Sequence, residues 1–307
     1  MKDAEAAYLE AEYGDVTEGD WPPKRRRPVR RSWVAVGLTL LLLGLGHVYV
    51  GEMRRGLVLW SGFLGLLMGS AWSGLLDRFW GLLIVLVAAL GLLVYAMGDA
   101  ASRARRLRSF DPKPYNRWWV YAAVVLFAAV VGPGIRALVP IQSFYIPSGS
   151  MEPTLQPGDH FYARRGTFGA EDLARGEIVV LRSPEDPTVF VVYRIVGLAG
   201  EEIDVVDKAV HIDGRPLDEP YAHFREEVTY PDSSSVHESL RRRDQFGPFL
   251  IPEETVFVMG DNRDRSYDSR FIGPVPLANL HARPLYIYWH RDPVWTSDFS
   301  RIGRTVE

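Results

Sequence analysis

Ser148 and Ser150 stand two residues apart in the stretch SFYIPSGSMEPTLQPGD, residues 143–159. Pro147 and Gly149 favour a turn there, and the immediate neighbours are small. A serine exposed on such a turn can present Oγ to a carbonyl carbon while backbone N–H groups face the developing oxyanion. That is the chemistry of acyl transfer. Bare S-G-S is also what an ordinary turn looks like, so the base decides. A serine hydroxyl needs a neutral general base near neutral pH, and this chain offers few. Of its 35 basic residues only Lys2, Lys24, Lys113 and Lys208 are lysines; the other 31 are arginines. There is no cysteine, which removes a Cys nucleophile, disulfides and thiolate metal sites. Asp and His do not cluster at ligand spacings, so no metal or cofactor is expected.

The elements that must carry these serines fall into two parts. Residues 1–32 read as a disordered acidic tail followed by the basic run PPKRRRPVRR. Residues 33–98 hold three apolar stretches, Trp33–Gly51, Gly56–Leu76 and Phe79–Gly98. A basic loop, 99–117, leads to a last membrane helix within 118–139. Each stretch is uncharged and long enough to cross a bilayer core, and several tryptophans lie near the ends. The lipid bilayer is therefore an expected partner. Basic flanks stay cytoplasmic, so an even number of crossings must separate 24–31 from 99–117, and one of the three stretches is expected to be re-entrant. Gly44, Gly46 and Gly51 make the first hairpin the place for that irregularity. The string GLGHVYVGEMRRG there resembles a small Gly/Tyr membrane-hairpin motif. The last helix then puts residues 140–307 on the extracytoplasmic side.

That C-terminal part reads as β-rich. Short β-branched or aromatic runs at 177–181, 188–196, 202–206, 209–212, 255–259 and 285–289 are punctuated by Gly, Pro and Asp. The string DKAVHIDGRPL predicts a hairpin with an Asp213-Gly214 turn after its second strand. Residues 231–247 read as a mobile insertion. A net charge of −3 excludes a general nucleic-acid binder, and the oligomeric state is not readable.

The 148–159 string resembles the nucleophile box of bacterial signal peptidase I, S-x-S-M-x-P-T-L-x-x-G-D. TVFVMGDNRDRSYDSRFIGPVP, 255–276, resembles that family's last box, and EIVVLRSPEDPTVFVVYRIVGLAGE, 177–201, its general-base box. The resemblance covers about 140–292. It implies a mainly β catalytic domain of two antiparallel sheet regions behind an α-helical membrane anchor. It implies cleavage of signal peptides from exported proteins at the outer face of the bacterial cytoplasmic membrane. By position it implies Ser150 as nucleophile, Ser148 with Ser150 in the oxyanion hole, and Ser266 as the hydroxyl orienting the base. Asp268 and Arg270 match a structural acid–arginine pair, and Ile146 and Met151 an apolar substrate groove. The family's base is a lysine in K-R-x-x-G-x-P-G-D. Here Tyr193 stands in its place, followed by Arg194. Burial lowers a lysine pKa but raises that of tyrosine above its usual value of about 10, so the pocket that activates lysine suppresses tyrosinate. Arg194 should point to the opposite face of the strand. Lys208 lies in the hairpin, and His160 and the other histidines lack motif support. Two readings follow: a serine endopeptidase with Ser150 as nucleophile, or a weak or inactive member that binds signal peptides or a membrane partner.

Overall fold

The computed structural model describes residues 29–107, 110–291 and 299–307. The acidic tail and most of the basic run, residues 1–28, lie outside the described residues. The chain forms two compact units, residues 1–62 with 91–127, and residues 63–90 with 128–307.

In the first unit, helix α1 (Ser32–Leu41) stops after ten residues and the five-residue α2 (Leu45–Tyr49) follows. The apolar stretch Trp33–Gly51 is thus interrupted in the hairpin that its glycines mark for irregularity, and the first helix, at ten residues, rises only about 15 Å against a core of about 30 Å. The break is built from glycine. Gly44 is left-handed with φ 90°, and a Cβ on it would collide with the Gly56 carbonyl. Helix α3 (Met53–Trp72) begins next. Helix α4 runs Phe79–Arg106, well into the segment expected to be a loop from residue 99. Two of its charges there, Asp99 and Arg103, are paired. Asp99 Oδ2 lies 3.0 Å from Nε2 of the buried His47 and accepts from Arg103 Nε at 2.9 Å. Arg103 also pairs with Glu52. Helix α5 is Trp118–Leu138. Among the described residues, α4 and α5 are the helices long and apolar enough to cross a membrane.

The second unit is antiparallel β. A seven-stranded sheet has the order β1-β2-β11-β3-β4-β9-β10 and a four-stranded sheet the order β7-β6-β5-β8. The strands are β1 (Ile141–Tyr145), β2 (Asp159–Arg165), β3 (Ile178–Arg182), β4 (Phe190–Gly197), β5 (Glu202–Val206), β6 (Ala209–Ile212), β7 (Arg215–Pro216), β8 (Phe246–Leu250), β9 (Thr255–Met259), β10 (Val275–Pro276) and β11 (Leu280–His290). The larger sheet is packed on one apolar core that includes Phe161, Leu155, Val180, Ile195 and Val258. The smaller has its own, around Ile203, Ile251 and Phe257. Asp207 and Lys208, then Asp213 and Gly214, all have positive φ, so two tight turns fold β5, β6 and β7 back on one another. Residues 231–247 contain helix α6 (Glu238–Asp244), whose Arg243 and Asp244 are buried. The end of this segment is thus docked, while 231–242 stay exposed or half-buried.

The same unit includes the connection between α3 and α4. Asp77 accepts from Arg164 Nε of β2 at 2.7 Å, and the Leu76 carbonyl accepts from Tyr286 Oη of β11 at 3.0 Å. Phe79 packs edge-on against the Tyr286 ring, 5.8 Å between centroids. The apolar helices are therefore fastened to the β domain at this tip as well as through α5.

Candidate active site

β1 ends at Tyr145 and the serine turn follows. Ile146 N–H donates to the Asp159 carbonyl at 2.9 Å, and Gly158 N–H to the Ile146 carbonyl at 2.9 Å. This closes residues 147–157 into a loop held at its neck. Asp159 is fully buried and fixes the neck from the other side. It accepts from Arg301 Nε at 2.9 Å and sits 2.7 Å from His290 Nδ1. Gly158, at φ 98°, lies where a Cβ would strike the Arg291 carbonyl. The terminal G-D of the motif is thus a backbone anchor.

The tip of the loop is fastened to the segment after β9. Asn262 N–H donates to the Ser150 carbonyl at 3.0 Å and Asn262 Nδ2 to the Gly149 carbonyl at 2.9 Å. Thr154 Oγ1 donates to Asp261 Oδ2 at 2.5 Å. Gly260 is squeezed between the two walls, since a Cβ there would collide with both the Ser150 carbonyl and Ser266 Oγ. Ser148 is exposed and Ser150 half-buried. The Ser150 hydroxyl makes no hydrogen bond among the described residues. Ile146 and Met151, read as groove-lining, are 5% and 2% exposed and belong to the main core with Tyr193. They floor the site and offer little surface to a peptide.

Register brings the remaining motif residues here. Arg194 of β4 lies opposite Met259 of β9, so Tyr193 and Arg194 come beside the Gly260 turn from opposite faces. Arg194 is buried and grips Asp261 with two hydrogen bonds of 2.8 Å, from Nε and Nη2. Its guanidinium lies over the Tyr221 ring at 4.1 Å. Arg194 therefore positions the loop that holds Ser150. Asp268 caps helix α7 (Ser269–Ile272) and pairs twice with Arg270 at 2.9 Å, both buried. Asp268 Oδ2 also accepts from Gly260 N–H at 3.1 Å, as does Ser266 Oγ at 3.2 Å.

Tyr193 is where the arrangement departs from a serine–base pair. Its hydroxyl donates to the Tyr267 carbonyl at 2.6 Å, and no hydrogen bond joins it to Ser150 or Ser266 among the described residues. Burial, then the nearby charges of Asp268 and Glu185, push the phenol well above the ordinary tyrosine range. A neutral phenol whose proton is already committed to a carbonyl is a poor proton acceptor. The alternatives lie elsewhere. Lys208 Nζ is bound to Asp264 Oδ1 at 2.8 Å and to the Glu226 carbonyl. His160 sits in β2 between Tyr145 and Tyr288, and burial lowers its pKa. His223 bridges Asn262 through the backbone, and its ring is exposed. Asp261, Asn262 and Thr154 build the site, yet residue type assigns them no chemistry. Their only signal is their place inside the two quoted boxes.

The fold sets a serine on a pinned turn over an antiparallel β core, with no base hydrogen-bonded to it among the described residues. The model for the family described as signal peptidase, peptidase S26, matches residues 116–289. The chain belongs to that family. A probable signal peptidase I-2 of Synechocystis is 34% identical over 185 residues, covering 58% of this chain and 77% of that protein. The signal peptidase I of Leptolyngbya laminosa is 33% identical over 169 residues, covering 53% of this chain and 75% of that protein. A signal peptidase I crystal structure from Enterococcus faecalis aligns at 28% identity and TM-score 0.29, covering 38% of this chain and 98% of that one.

Proposed function

We propose that this chain acts on signal peptides of exported proteins at the outer face of the cytoplasmic membrane, with Ser150 as the attacking group. The observation that carries this reading is the Ser148–Gly149–Ser150 turn, tied by Asn262 and closed against Gly260, inside the matched family region. In this reading Ser150 Oγ adds to the scissile carbonyl carbon. Its proton leaves to a base, and the oxyanion is met by the Ser150 N–H and the Ser148 hydroxyl. The C–N bond breaks as the amine takes a proton, and water then hydrolyses the acyl-enzyme. α4 and α5 cross the membrane and carry residues 140–307 to the outer side. The docked α3–α4 tip supports this placement, because it lies on the same side as the β domain.

The hydrogen bond from Tyr193 to Tyr267 favours a second reading, a member that binds signal peptides and cleaves slowly or not at all. Loss of a general base slows such chemistry by roughly 10²–10⁴-fold, while positioning and oxyanion stabilisation persist. The test is a preprotein with an A-x-A site, incubated with purified full-length chain in detergent. Cleavage by the native chain that disappears in Ser150→Ala supports the enzyme. Silence in the native chain with cleavage in Tyr193→Lys supports the binder. Silence in both sinks the proposal that Ser150 is a nucleophile limited by residue 193.

A further inference from the structure

A pocket of about 720 Å³, whose lining does not include Ser150, lies at the end of α5 where the β domain begins. Its walls are of two kinds. Leu67 of α3, Leu82 of α4 and Pro133 of α5 are apolar. Facing them are Arg136 in the last turn of α5 and Tyr162 and Arg165 on β2. No Asp or Glu lines the pocket. The nearest acid of the tip, Asp77, is already held by Arg164. Neither Arg136 nor Arg165 forms a salt bridge among the described residues. Arg165 spends one nitrogen on the carbonyls that end α5, donating from Nη2 to Ala137 and Val139 at 2.7 and 2.6 Å. Those bonds neutralise the helix's negative end. Its Nε is buried without any partner. The Arg136 guanidinium and the Tyr162 hydroxyl make no hydrogen bond among the described residues, and burial raises the Tyr162 pKa, so the phenol keeps its proton to donate.

Two guanidiniums and a phenol therefore share a pocket without a carboxylate, and apart from the two carbonyls bound by Arg165 Nη2 their donors have no protein partner among the described residues. A phosphodiester supplies the acceptors, and arginine binds phosphate oxygens in paired fashion. The apolar walls continue from these donors onto helices of membrane length, where acyl chains belong. Arg136 is also the first charge after the uncharged run of α5, the position at which an arginine meets the headgroup layer. We infer that this pocket binds the headgroup of an anionic phospholipid, with its chains along Leu67, Leu82 and Pro133. The inference rests on the membrane placement given above and is independent of whether Ser150 cleaves anything.

The experiment uses the full chain reconstituted in phosphatidylcholine bilayers containing a minor fraction of photoactivatable phosphatidylglycerol, against matched photoactivatable phosphatidylcholine. Expected is cross-linking of the anionic lipid to peptides containing Leu67, Leu82 or Tyr162, in excess over the neutral lipid. Arg136→Gln should lower that excess by about fivefold, the scale of one interfacial arginine, and Arg136→Lys should retain much of it. Tyr162→Phe should weaken it in the same direction. Should a variant fail to fold, the wild-type cross-link map decides alone, and cross-links confined to other segments overturn the site. Equal capture of both lipids, or an unchanged excess in folded Arg136→Gln, also overturns it. Inorganic phosphate at millimolar concentration should leave lipid capture intact; displacement by phosphate would make this a free-phosphate site and refute the lipid. Failure of the chain to float with vesicles at all would sink the membrane placement too, whereas flotation without anionic preference sinks this inference only.

Discussion

Ser150 owes its position to groups that do no chemistry. Gly260 is the clearest. Its lack of a side chain lets the β9 end, the Ser150 carbonyl and Ser266 meet. Gly260→Ala should push the serine turn away from the Ser266 loop and reduce signal-peptide binding by an order of magnitude or more, as titrated with a labelled peptide, without unfolding the sheet. An unchanged affinity would show that the close approach is dispensable. Asp268 and Arg270 act similarly. Their pair is buried, so Asp268→Ala strands a guanidinium and should destabilise the chain by about 3–5 kcal/mol, read as a lower denaturant midpoint. At this scale the sequence was legible to a sharp limit. The tyrosine at position 193 is visible by alignment of motifs, and so is the direction in which burial moves its pKa. Its bond to the Tyr267 carbonyl is not, because that depends on the backbone path after Gly260, which no residue type dictates.

The strands that carry alternating β-branched residues, such as Glu202–Val206 and Ala209–Ile212, were readable with their bounds. β1, β2 and β8 were not. Phe144 and Tyr145 sit beside polar Gln142 and Ser143, and β8 contains Gly247 and Pro248, so neither pattern stands out against a loop. The stretch 219–245, which includes Arg225, Glu226 and the buried end of α6, escaped for another reason. Its order comes from charge met across the fold, since one buried carboxylate, Asp264, collects it. Burial opposes ionisation there, but the bond from Lys208 Nζ and those from the Glu226 and Arg225 amides outweigh it and hold the carboxyl below its usual pKa. A depressed folded pKa stabilises above the unfolded value of about 4 and is lost as pH falls through the folded one. Amide exchange in 219–245, taken relative to the intrinsic rate at each pH, should therefore be slow at neutral pH and accelerate once pH drops below about 4. In Asp264→Asn it should be fast at both. Slow exchange in the variant at neutral pH would remove Asp264 from this role.

For the whole molecule, composition and charge pointed to the division between apolar helices and β domain, and to irregularity near Gly44. What they could not give was the short α1, because a glycine-made break looks the same as a spanning run when only apolarity is counted. The absence of cysteine makes the topology directly testable. Ser73→Cys, at the exposed tip after α3, should react with an impermeant maleimide in intact cells. Pro112→Cys, in the exposed loop before α5, should react only after permeabilisation. The opposite pattern would invert the orientation. The tip itself carries a further consequence. A domain hung from one helix swings about the joint after Leu138. Here Asp77 and Leu76 clasp β2 and β11 as well, so the joint after Leu138 is one of two attachments. The start of α4 is thus tied to two neighbouring strands of the larger sheet by side chains of both, Arg164 and Tyr286.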